Sequence, residues 1–161
     1  MIKKILISSI LFISLISNSF SAGSSDTGSK SNLYDKAVNL INVAKKMEEK
    51  GKLEKAKKRY QKAQKFLIKF NKEKPNKADT LNYLGFTTRK LGDFEGGEKY
   101  YLQGLEINPK HKGINEYLGE LYVATNRIDL AKERLKVLEG CNCEEYGELK
   151  EVIEGTKKSK Y

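Results

Sequence analysis

Two stretches of the chain repeat one frame 34 residues apart. Leu84-Gly85 returns as Leu118-Gly119, and Leu91-Gly92-Asp93 falls in register with Thr125-Asn126-Arg127. A period of that length fits one helix–turn–helix unit, which cannot bury its apolar face alone, so neighbouring units must stack to share a core. The spacing therefore predicts an all-α chain whose exposed face recognises a partner, and it argues against an enzyme.

The middle unit, residues 78–111, shows the frame most clearly. Leu81, Leu84 and Gly85 share one helix face at i, i+3 and i+4. Gly92-Asp93 then breaks the pattern, and Asp93 is the expected N-cap of a second helix. That helix carries Phe94, Gly97, Tyr101, Gly104 and Leu105 along a stripe and ends at Asn108-Pro109. In the next unit, 112–145, Leu118, Gly119, Tyr122, Ala131, Leu135 and Leu138 take the corresponding places, with Asp129 as the expected cap. An earlier unit, 37–77, repeats the spacing through Gly51, Ala56, Tyr60 and Ala63. Its turn proline, Pro75, comes seven residues late, which predicts a second helix about two turns longer. A last amphipathic segment, 144–156, presents Tyr146, Leu149, Val152 and Ile153. It is expected to be capped by Asn142, with Glu145 reaching back, and to cover the open end of the stack.

Small residues, Tyr and Pro in this order and at this period resemble the tetratricopeptide repeat family over about residues 32–145. The family's usual Trp near the start of each unit is replaced by Leu40, Leu81 and Asn115. The resemblance implies three stacked tetratricopeptide-type helix pairs plus a C-terminal capping helix, a right-handed α-solenoid over residues 32–157. It also implies a concave groove lined by the first helix of each pair. Mapped residue by residue, that groove takes Asn82, Phe86, Arg89 and Lys90 from the middle unit. Glu116, Glu120 and Val123 come from the third unit, and Ile41, Lys45 and Glu48 from the first. The expected surface is mixed: one exposed aromatic, a basic spot and an acidic spot. Some family members grip a C-terminal carboxylate with Lys, Asn and Arg. Glu116 and Glu120 place negative charge where such a clamp needs positive charge, so no clamp is expected here.

The N-terminus reads differently. Lys3 and Lys4 precede an apolar run over residues 5–16, followed by Ser, Asn, Ala and Gly. A basic start, a short apolar core and a small polar exit predict a secretory signal peptide over residues 1–22, cleaved after Ser21, Ala22 or Gly23. The run is shorter than the roughly 20 apolar residues that span a bilayer. Residues 23–31, rich in Gly and Ser, read as a flexible linker. Together with the Lys-, Ile- and Asn-rich composition, these features predict a periplasmic or secreted bacterial protein.

The net charge of +10 is concentrated in the first helix pair. Residues 34–77 hold 15 Lys or Arg against 5 Asp or Glu, whereas residues 78–161 hold 13 against 15. Lys52, Lys55, Lys57, Lys58, Arg59 and Lys62 form the densest basic patch. It reads either as a solvated helix face or as a site for an anionic envelope surface. No base-reading motif accompanies it, so nucleic acid is not an expected partner.

Cys141 and Cys143 are the two cysteines, in Gly140-Cys141-Asn142-Cys143. In an exported protein they form a local disulfide, remain a reduced structural pair, bond to another chain, or serve a redox or metal role. The Cys-x-x-Cys redox spacing is absent. His111, the single histidine, sits in the turn between units. No nucleophilic triad or phosphate loop can be assembled, and no catalytic residue, metal or cofactor is expected. The expected function is a non-enzymatic scaffold or adaptor of the bacterial envelope that binds a protein segment in its groove.

Overall fold

The computed structural model describes residues 32–159. The signal peptide and linker expected at 1–22 and 23–31 lie outside the described residues. Among those described, seven α-helices and no strands occur: α1 Leu33–Glu49, α2 Leu53–Glu73, α3 Ala78–Lys90, α4 Phe94–Ile107, α5 Lys112–Ala124, α6 Ile128–Leu138 and α7 Glu144–Ile153. Helices α1 and α2, α3 and α4, and α5 and α6 pack as antiparallel-type pairs, each pair stacks on the next, and α7 closes against α5 and α6.

Each pair turns at the same place in the frame. Gly51, Gly92 and Asn126 occupy the left-handed region, with φ of 68°, 98° and 59°. Glycine, and asparagine to a lesser degree, is tolerated there because an ordinary side chain meets the following carbonyl. Asp93 caps α4, its carboxylate accepting from the Gly96 amide at 2.8 Å. The expected cap at Asp129 does not form. Helix α6 begins at Ile128 with Arg127 as its N-cap, which leaves Asp129 inside the first turn. Helix α7 likewise starts after Cys143. Asn142 is held at φ 46° in the preceding turn and makes no cap.

The core follows the small-residue stripes. Ala37, Ile41 and Ala44 of α1 meet Ala56, Tyr60, Ala63 and Leu67 of α2. Gly85 lets α3 approach α4, since a methyl group added there would lie 2.5 Å from the Tyr101 ring. At the matching position in α5, a methyl on Gly119 would lie 2.6 Å from Leu149 of α7. Phe94 departs from its expected stripe and is 37% exposed. Helix α2 runs 21 residues against 14 for α4, two turns longer, and its end reaches Tyr34 through Phe70 at 5.6 Å between ring centroids.

Asn115 stands where the repeat usually has a large aromatic, and it is fully buried. Its amide donates to the Pro109 and His111 carbonyls at 3.1 and 3.0 Å, and its oxygen accepts from Arg134 at 3.4 Å. A polar side chain is tolerable in that position because its hydrogen-bonding capacity is used. His111 completes the turn. Its Nδ1 accepts from the Ile114 amide at 3.1 Å, and its Nε2 lies 3.0 Å from Asp79.

Candidate functional site

The first helices α1, α3 and α5 present equivalent positions side by side. Ile41, Asn82 and Glu116 form one row, Lys45, Phe86 and Glu120 a second, and Glu48, Arg89 and Val123 a third. Side chains of neighbouring helices meet diagonally between these rows.

Phe86 is at the centre of an aromatic chain. Its ring centroid lies 5.7 Å from Tyr60 and 5.2 Å from Tyr117. The Lys45 ammonium stands 4.7 Å from the Phe86 centroid, in cation–π contact, and donates to the Tyr117 hydroxyl at 3.2 Å. Phe86 is therefore not the exposed aromatic the sequence suggested: it is 1% exposed, because Tyr60, Tyr117 and Lys45 surround it. Glu48 accepts from the Tyr60 hydroxyl at 2.8 Å and pairs with Lys90 at 2.8 Å. Burial, followed by the hydrogen bond to Glu48, pushes the Tyr60 phenol well above its ordinary range. Burial does the same to Tyr117.

Arg89 lies beneath this layer. Its guanidinium donates to Glu120 at 3.1 Å and to the Tyr117 carbonyl, and both charged side chains are fully enclosed. Glu116 and Asn82 are buried as well, whereas Val123 and Lys90 are half-buried. Beyond α7 the chain turns at Gly155, φ 72°, and brings the Ser159 hydroxyl within 3.4 Å of Glu120. The acidic spot expected in the groove is thus internal, with Glu120 neutralised by Arg89.

What stays open is a cleft of about 400 Å³ lined by Lys45, Glu48, Glu49, Phe86 and Lys90. It combines an aromatic floor with a rim carrying both signs of charge. Such a site can seat an apolar side chain and orient its charged neighbour. Of the mapped groove residues, Lys45, Glu48, Phe86 and Lys90 come together here. Asn82, Arg89, Glu116 and Glu120 support the face from within. Tyr117 and Tyr60, which complete the aromatic chain, were not singled out for the groove. Tyr117 carried a readable signal, because it repeats Tyr83 at the 34-residue spacing.

Lys52, Lys55, Lys57, Lys58, Arg59 and Lys62 are all exposed, on α2 and at its N-cap, and none lines this cleft. Cys141 and Cys143 are joined by a disulfide in the turn between α6 and α7, with Cα atoms 5.2 Å apart. Among the described residues, no group of three or more His, Cys, Asp or Glu could hold a metal ion. No described helix is long and apolar enough to cross a membrane.

Residues 78–111 match the tetratricopeptide repeat family. That segment contains α3, α4 and the turn into α5, the unit whose frame is clearest in sequence. Two solved structures share the stack. The translocator chaperone SycD of Yersinia enterocolitica type III secretion is 15% identical with a TM-score of 0.54, over 75% of this chain and 83% of that one. PcrH in complex with the chaperone-binding region of PopD is 15% identical with a TM-score of 0.53, over 75% of this chain and 90% of that one. At such identity the likeness shows the tetratricopeptide-type fold. No curated protein matches this chain in sequence.

Proposed function

We propose that the chain is a non-enzymatic scaffold or adaptor that holds a segment of another protein against the face made by α1, α3 and α5. The observation that carries this reading is the cleft between Lys45, Glu48, Phe86 and Lys90, an aromatic floor ringed by charges on two neighbouring first helices. Tetratricopeptide-type folds serve protein–protein interaction, and PcrH holds a region of PopD. The segment that fits here brings an apolar anchor into the cleft above the buried Phe86 ring, beside Lys45, and a neighbouring carboxylate that competes with Glu48 for Lys90. The buried Arg89–Glu120 pair keeps the floor rigid, so binding costs little reordering.

The export signal expected over residues 1–22 supports the reading that this interaction takes place in the bacterial envelope. Mass spectrometry of the chain from its native envelope tests that part, with an N-terminus at residue 22, 23 or 24 expected.

The binding reading is tested by selecting peptides from a displayed library and measuring their affinity for charge variants. Lys90→Glu and Lys45→Glu are expected to weaken selected peptides at least tenfold, while Lys136→Glu on α6 leaves them unchanged. Equal affinity for all three variants would overturn the site.

A further inference from the structure

The outer side of the first helix pair differs from every other face in its charge balance. Two shallow clefts of about 300 and 270 Å³ run along the seam between α1 and α2, and both include Met47 and Lys55. Val43 and Met47 supply their apolar part. Lys46, Lys50 and Lys52 line one cleft, Lys58, Arg59 and Lys62 the other, and no acidic residue lines either. Lys57, part of the sequence patch, lines neither of them.

None of these cations is in an ion pair with another described residue. Lys62 lies over the Phe66 ring, at 5.9 Å. Several basic groups elsewhere among the described residues are neutralised. Arg89, Lys90, Arg127 and Lys157 each face a glutamate at 3.1 Å or closer. A seam of seven exposed like charges raises the local concentration of anions around it.

The neighbouring apolar groups point to the kind of anion. Leu53, at the start of α2, is 63% exposed, and Val43 is 42% exposed. Val43 lines the seam itself, and Leu53 lines an adjoining cleft with Lys52, Glu54 and Lys55; long lysine stems can cover apolar surface while the ammonium reaches water. Exposed aliphatic tips inside a polybasic surface match the boundary between headgroups and acyl chains in an anionic bilayer. A second copy of this face fits badly, because like charges would oppose one another.

We propose that this seam docks the protein on an anionic phospholipid surface. The docking is independent of the cleft at Phe86 and leaves that cleft open to a protein segment.

The test is co-sedimentation of the mature chain, residues 23–161, with vesicles of phosphatidylglycerol and phosphatidylcholine, compared with vesicles of phosphatidylcholine alone. Binding to the first and at least tenfold weaker binding to the second are expected, with loss in 0.5 M salt, where the screening length is only a few ångströms (about 3 Å at 1 M). The triple variant Lys55→Glu, Lys58→Glu, Lys62→Glu should lower partitioning at least tenfold while keeping its helical circular dichroism and Tm. Leu53→Ser should weaken vesicle binding severalfold yet leave binding to polyglutamate unchanged. Equal binding to both vesicle types, or retained binding in the triple variant, would overturn the proposal. So would indifference of vesicle binding to Leu53→Ser, which would assign the seam to an acidic macromolecule instead.

Discussion

Arg89 with Glu120 and Arg127 with Glu98 are both arginine–glutamate pairs, yet they work differently. The first is fully enclosed; in the second, at 2.7 Å, the side chains are 36% and 20% exposed. The hydrogen bond to Glu98 raises the Arg127 pKa and keeps it charged, but water still screens much of the attraction. Removing one partner of an enclosed pair leaves a charge in a medium that solvates it poorly. Glu120→Ala is therefore expected to cost about 3–5 kcal/mol in chemical denaturation. Glu98→Ala is expected to cost about 1 kcal/mol or less. Equal costs would contradict the contrast in burial. Neither pair was legible as such in the sequence, because helical spacing gives the face of a residue but not its diagonal partner on the next helix. Caps show the same division. Asp93 was readable from residue type and position together. Asp129 has the right chemistry, but the repeat register puts Arg127 in the capping position, and register prevails because Asn126 takes the left-handed turn.

Among the elements, α2 and α7 depart most from a uniform repeat. The delayed Pro75 announced the two additional turns of α2, since a proline in a helix interior would break the hydrogen-bond ladder. The closing role of α7 and its start at Glu144 were legible from its apolar stripe, but its cap was not: Asn142 lies in the turn closed by the Cys141–Cys143 bridge, and Cys143 takes the capping position. Leu149 is fully buried and fills the space left by Gly119. Leu149→Ala is expected to destabilise the chain by about 2–5 kcal/mol. Because α7 is a terminal element, native-state hydrogen exchange should show it opening before the other helices in that variant. Uniform loss of protection across α1 to α7 would mean that the cap and the stack unfold only as one unit.

Across the whole molecule, burial makes ionisation of six tyrosines harder in the folded chain than in water. Burial, the largest cause in each case, raises the phenols of Tyr34, Tyr60, Tyr83, Tyr101, Tyr117 and Tyr122 above their ordinary value of 10.0. The unfolded chain releases those protons near pH 10 and the folded chain retains them. The stabilisation is thus complete below pH 10 and is lost as pH rises beyond it. Alkaline titration should show the phenolate absorbance of these six tyrosines at 295 nm, out of nine in the chain, appearing together with the loss of helical circular dichroism. Full titration near pH 10 with the helices intact would contradict this. Whether the face of α1, α3 and α5 holds a protein segment is read by amide-resolved NMR of the chain with a selected peptide. The largest shifts are expected at Lys45, Phe86, Lys90 and Tyr117, with little change on α2, α4 and α6. Shifts concentrated on α2, or spread evenly over the chain, would contradict it.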